Sequence, residues 1–119
     1  MLLGKPVVAT NYSGNVDFMN AKNSFPVKYK LVSVGADDYP GAEGQVWAEA
    51  AIGHAAAQMQ RIYRDPAAAA LIGENARRFV QAHYSADTVG ANYHDWLSKL
   101  DPRPWLLHLG ISEGRIARK

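Results

Sequence analysis

The chain has no cysteine. That excludes a disulfide framework, a thiolate metal site and a cysteine nucleophile, and it fits a reducing compartment. Charge of either sign is in short supply as an excess: 13 Lys and Arg stand against 11 Asp and Glu, a formal net charge of +2. Without a basic face, that is too little to argue for nucleic acid, so no nucleic-acid partner is expected. Long apolar runs are missing too. No segment approaches the ~20 apolar residues a membrane span needs. Met1-Leu2-Leu3 runs at once into Gly4-Lys5-Pro6, which is no signal peptide. What is present is an ordinary globular composition, 48% hydrophobic and 20% charged over 119 residues, enough for one domain or part of one.

Met1-Leu2-Leu3-Gly4 reads as the last turn of a helix whose body lies upstream, with Gly4 at the left-handed C′ position and Pro6 as a stop. Val7-Val8-Ala9 is a short apolar run without alternation, the pattern of a parallel strand buried on both faces. Thr10 to Gly14 is a polar loop, and Val16 to Met19 suggests one helical turn with Asn15 as its cap. Phe25 to Val32 reads as a strand with Val27, Tyr29 and Leu31 on one face and Lys28 and Lys30 on the other; Pro26 moves it towards a sheet edge. Gly35 to Gly44 is a loop by composition.

Helices come next. Ile52, Ala56, Met59 and Tyr63 recur at helical spacing. Asp65-Pro66 supplies an N-cap and a first-turn proline for a second helix, with Ile72, Ala76, Phe79 and Val80 on its inner side. Ser85 caps a third, from Ala86 to Leu100, lined by Val89, Tyr93, Trp96, Leu97 and Leu100. Trp105 to Leu109 gives another turn or helix. The expected fold class is α/β, about two parallel strands followed by three or four helices. Ordering a residue costs roughly 1–2 kcal/mol, and burying a Val or Leu returns roughly 1.5–3 kcal/mol. A doubly buried strand at Val7 therefore needs neighbours on both sides.

The segment Gly4-Lys5-Pro6-Val7-Val8-Ala9-Thr10-Asn11-Tyr12-Ser13-Gly14-Asn15 is a buried strand running into a small-residue loop. In open parallel sheets ligands sit beyond the carboxyl ends of strands. Ser13 and Gly14 lack bulk, so backbone amides there could approach a diphosphate, and Gly14 permits a positive φ. On composition alone an ordinary tight turn is the commoner use of such a loop.

This segment resembles the one that follows the glutamate motif in retaining glycosyltransferases of family 4. The resemblance continues through Asn23-Ser24-Phe25-Pro26-Val27, Trp47-Ala48-Glu49, Met59-Gln60-Arg61-Ile62-Tyr63, Arg64-Asp65-Pro66, Ala76-Arg77-Arg78-Phe79 and His83-Tyr84-Ser85, and covers Met1 to about Leu100. It implies the C-terminal portion of a Rossmann-like, nucleotide-sugar-binding domain of GT-B architecture over residues 1–100, with a helical, basic tail over 101–119. It implies a cytoplasmic enzyme that transfers a sugar from a nucleotide-sugar donor to an acceptor. It also implies a partner N-terminal domain that this chain lacks, and no metal or other cofactor.

The residues carried over as donor-binding are Thr10, Asn11, Tyr12, Ser13, Gly14 and Asn15. The family's glutamates belong upstream of Met1, so no catalytic residue is assigned and the chain alone is expected to be inactive. Asp17 stands where relatives have a second acidic residue. The Pro-Asp that relatives carry before the next helix is absent at Ala50-Ala51, so the start at Ile52 is expected to fray. Two other readings stay open: a fragment of a GT-B-like sugar-nucleotide epimerase, and a non-catalytic binding module.

The remaining candidates read as structural. His54, His83, His94 and His108 form no two-histidine spacing with a carboxylate and are assigned to packing or surface. Asp37-Asp38 and the pair Glu43 and Glu49 read as solvated charge, Ser13 has no histidine base, and Trp47, Trp96 and Trp105 read as packing. The basic tail, with Arg103, Arg115, Arg118 and Lys119, offers a peripheral membrane contact, although a solvated terminus is its commoner use.

Overall fold

The computed structural model describes residues 1–35, 37–38 and 40–100. The tail at 101–119, including Trp105 to Leu109 and the basic side chains, lies outside the described residues. The chain divides into two compact units, Met1–Tyr84 and the part from Ser85 onward.

The first unit is mixed α/β. Strand β1 (Val8–Thr10) leads through a 3-10 turn (Ser13–Asp17) to β2 (Phe25–Val27), then β3 (Tyr29–Ser33), β4 (Val46–Ala50), helix α1 (Ile52–Arg64) and helix α2 (Pro66–His83). β1 and β2 are parallel, with Val8 opposite Phe25 and Thr10 opposite Val27. The expected pair of parallel strands is present. The expected single strand from Phe25 to Val32 is not: it breaks at Lys28. Beyond that residue the chain leaves β1 and pairs antiparallel with β4, Tyr29 opposite Ala50 and Ser33 opposite Val46. In sequence, this antiparallel ribbon of β3 and β4 comes between the parallel pair and the helices.

The short turn also differs from its expected form. It begins at Ser13, Tyr12 is its N-cap without a side-chain bond, and Asn15 lies inside it. Gly4 does take a left-handed φ of 65°, and its N–H donates to the Met1 carbonyl at 2.9 Å. A side chain there would be strained, which is why glycine suits the position.

Core residues among those described are few: Met19, Phe25, Val27, Val34, Ala42, Ala69 and Ala76 are buried. Asn23 and Ser24 are buried beside them and satisfied locally. Asn23 Nδ2 donates to the Phe18 carbonyl at 3.0 Å, its Oδ1 accepts from the Asn20 N–H, and the Ser24 hydroxyl donates to the Asn20 carbonyl at 2.7 Å.

Helix α1 turns a different face inward from the one its apolar stripe suggests. Ile52 and Tyr63 are 84% and 86% exposed, whereas Gln58 is buried. Its start has Ala51 as N-cap with no side-chain bond, the uncapped end expected of that sequence. Helix α2 follows expectation. The Asp65 carboxylate accepts from the Ala68 N–H at 2.9 Å and Pro66 opens the first turn, a cap worth about 1 kcal/mol. Ala69, Gly73 and Ala76 form its inner face.

On the outer side of α2, Glu74 accepts two bonds from Arg77, at 2.8 and 2.7 Å, and one from Arg78 at 3.0 Å. These bonds, Arg77's first, hold the Glu74 carboxyl at about 2 against an ordinary 4.5. A carboxyl depressed by folding binds its proton more tightly in the unfolded chain. Its stabilising contribution is therefore complete above 4.5 and disappears as pH falls through about 2. Glu74→Gln is expected to flatten the acid dependence of stability across that window, measured by urea denaturation at a series of pH values. An unchanged acid limb would show that the arginine fork does not persist in solution.

The second unit contains α3 (Ala86–Ser98), capped as expected by Ser85, whose hydroxyl accepts from the Thr88 N–H at 3.1 Å. The expected apolar face is on the helix but not covered: no residue of α3 is buried, and Tyr93, Trp96 and Leu97 are more than half exposed. No helix among the described residues is long and apolar enough to cross a membrane.

Candidate functional site

The carboxyl end of the parallel pair is the place where such sheets hold ligands. β1 ends at Thr10, whose carbonyl accepts the Tyr12 N–H at 2.8 Å and the Asn15 side-chain amide at 3.2 Å. Those two bonds curl the loop from Asn11 to Asn15 into a closed bend. Asn11 stays tied to the sheet through its N–H, which donates to the Val27 carbonyl at 2.9 Å. The left-handed residue is Ser13, with φ of 55°, and not Gly14. Ser13 and Gly14 are both exposed, and no atom lies within 4 Å of a side chain built on Gly14. The Tyr12 ring packs against Tyr29, centroids 5.0 Å apart.

A cavity of about 600 Å³ opens beside this loop, with Asn11, Pro26, Lys28, Tyr29, His54 and Gln58 among its walls. Of the six residues expected to bind a donor, Asn11 alone lines it. Thr10, Tyr12, Ser13, Gly14 and Asn15 form the neighbouring bend.

Lys28, His54 and Gln58 were not singled out by the sequence as site residues, and their geometry shows why they belong here. A strand edge exposes a row of N–H and C=O groups that need partners. On the outer edge of β2, Pro26 has no N–H. Its carbonyl accepts from Gln58 Nε2 at 2.9 Å, and the Lys28 N–H donates to His54 Nδ1 at 3.2 Å. His54 and Gln58 are four residues apart, hence on one face of α1. That face replaces the missing strand. The available signal was the proline within a strand together with a polar pair at helical spacing. Because Nδ1 accepts, the neutral ring carries its proton on Nε2 and presents a donor there.

The outer edge of β1 is different. Phe25 N–H donates to the Val7 carbonyl at 2.8 Å and Asn11 N–H to the Val27 carbonyl. Val7, Ala9 and Asn11 therefore turn their backbone groups to β2, and Val8 and Thr10 turn theirs away. No strand stands on that side among the described residues.

The other candidates stay structural. His83 packs edge-on against Phe79, centroids 4.5 Å apart, and His94 is exposed. The Asp38 carboxylate accepts from the Gly35 N–H within the ribbon tip, and Glu49 pairs with Lys30 at 2.7 Å across the ribbon. Trp47 sits on β4. Among the described residues no group of three His, Asp or Glu side chains could hold a metal ion.

The fold and this geometry define a mixed α/β unit with a ligand-sized cavity at the carboxyl end of a parallel strand pair. No family model, curated protein or solved structure matches the chain.

Proposed function

We propose that the chain is the C-terminal portion of a Rossmann-like, nucleotide-sugar-binding domain of GT-B type, in a glycosyltransferase. It supplies one wall of the donor pocket, from Thr10 to Asn15, and is inactive by itself. The observation that carries this reading is the parallel pair with one finished edge and one bare edge. β2 is sealed by Pro26, Gln58 and His54, and β1 leaves Val8 facing outward with no strand beside it among the described residues, while the outward Thr10 carbonyl is taken up by its own loop. Two-stranded sheets are marginal in water, so β1 is the place where the rest of a larger parallel sheet joins. On this reading the acceptor site, the groups that neutralise the leaving diphosphate and the catalytic carboxylates lie in the sequence this chain joins.

The test is titration of the ¹⁵N-labelled chain with uridine and guanosine diphosphates, following backbone amides. Saturable shifts centred on Thr10 to Asn15 are expected in the millimolar range, about −4 kcal/mol, as suits a pocket with most walls absent. Shifts that avoid this loop would remove the donor-wall assignment. Tight, base-selective binding would show that these residues form a whole pocket, and the portion reading would fail.

A further inference from the structure

We propose that the cavity beside the loop is an anion site of its own, taking the phosphate of a phosphorylated small molecule between Lys28, His54 and Asn11. Its volume of about 600 Å³ lies within the range of small-molecule sites. Its walls include a lysine and a histidine and no carboxylate, a one-signed lining that suits an anion and repels a cation.

The donors are available. The ion pairs among the described residues join Lys30 to Glu49, Arg77 and Arg78 to Glu74, and Lys99 to Asp95, and leave Lys28 without one. His54 spends Nδ1 on the Lys28 backbone, so Nε2 is the N–H it can offer a ligand. Gln58 gives one amide N–H to the Pro26 carbonyl and its oxygen accepts from Arg61, which fixes the side chain as part of the wall.

The site is also fixed before a ligand arrives. The end of β2 and the first turns of α1 are bolted together by the two side-chain bonds to the strand edge. Donors held in place by structure lose little entropy on binding. Tyr29, braced by Tyr12, gives the cavity an apolar wall for the body of the molecule. The site shares Asn11, and the Tyr12 ring that braces Tyr29, with the proposed donor wall, but draws on none of Ser13, Gly14 and Asn15, so responses at those three residues tell the two sites apart.

The test uses the full chain with inorganic phosphate and ribose 5-phosphate, following the Lys28 amide and the His54 ring protons. Both probes are expected to give saturable shifts at these two residues in the millimolar range, with ribose 5-phosphate the tighter. Lys28→Gln keeps the backbone bond to His54 and removes only the ammonium. It should weaken binding roughly tenfold, the loss expected for one charge-assisted hydrogen bond. Lys30→Gln, on the neighbouring ribbon, should change it less than about twofold. No saturation at tens of millimolar phosphate would overturn the proposal, as would equal weakening by the two variants, which would mean diffuse screening. A phosphate response at Lys28 and His54 without a nucleotide response at Ser13 to Asn15 would remove the donor wall and leave this site standing; the reverse pattern would do the opposite.

Discussion

Gly73→Ala is expected to destabilise the first unit markedly, even though alanine is the better helix former. A side-chain carbon on Gly73 would lie 2.2 Å from the Gly4 carbonyl oxygen, 2.8 Å from its carbon and 3.1 Å from the Lys5 carbonyl carbon. All three are backbone atoms, so no rotamer change relieves the clash. The backbone itself has little room to yield. Gly4 is held left-handed in the turn closed by Met1, and the chain runs on to β1 through Val7, whose carbonyl accepts from the Phe25 N–H. Overpacking of this kind costs about 3 kcal/mol or more. The gain in helix propensity offsets about 1 kcal/mol of it. A net loss of about 2 kcal/mol should lower the melting temperature by roughly 10 °C in a unit of this size. Gly90→Ala is the contrast. Among the described residues nothing beyond its own helix lies within 4 Å of a side-chain carbon built there on α3, so the same change should favour the helix, by up to about 1 kcal/mol. Circular dichroism on both variants checks the pair. A Gly73 variant that melts with the parent would mean that α2 does not pack against Gly4 and Lys5 in solution.

The helices were the most legible part of the sequence because their ends carry local chemistry. Asp65-Pro66 and Ser85 name their own starts, and each side chain is seen accepting a backbone N–H where a cap should. The ribbon was not legible, because Phe25 to Val32 is continuously strand-like. The break at Lys28 comes from a tertiary event, the pairing of Tyr29 to Ser33 with a segment beyond the Gly35 to Gly44 loop. The inner face of α1 was misread for a related reason. Periodicity picks out Ile52, Met59 and Tyr63, yet this helix is placed by its polar pair, which completes a strand edge. Hydrophobic pattern predicts which residues would gain from burial. It is silent when a helix is positioned by unsatisfied backbone groups.

The site was half legible for the same reason. A strand running into Thr10 to Asn15 could be placed at the carboxyl end of a parallel sheet from local composition, and the structure puts that loop there. The positive φ fell on Ser13, one residue before the glycine that seemed to invite it. Lys28 and His54 are 26 residues apart in sequence, joined by one hydrogen bond. Only the docking of α1 against β2 brings them to the same cavity, and the signals at hand, Pro26 within a strand and a polar pair on α1, do not say that the two segments meet.

That docking rests on Gln58, and Gln58→Leu is expected to weaken it by about 2 kcal/mol, within the range for a buried hydrogen-bonding group left without a partner. Leucine fills nearly the same volume, so a cavity is not the cause. Two bonds are lost: the one to the Pro26 carbonyl at 2.9 Å, and the one that Gln58 Oε1 accepts from Arg61 at 2.8 Å. Gln58→Glu separates them, because a carboxylate still accepts from Arg61 but cannot donate to Pro26. If the strand edge is what matters, the glutamate variant should be at least as unstable as the leucine variant at neutral pH, since two oxygens then face each other. If it melts with the parent, the Arg61 bond carries the effect and the edge-sealing role of α1 is wrong. Loss of the seal should have a second sign. With β2 opened as well as β1, both edges of the pair become templates for another strand. Both variants should therefore aggregate more steeply with concentration than the parent, by light scattering at temperatures below the melting transition. A Gly73 variant, damaged at Gly4 and not at the edge of β2, should not show that concentration dependence while still folded.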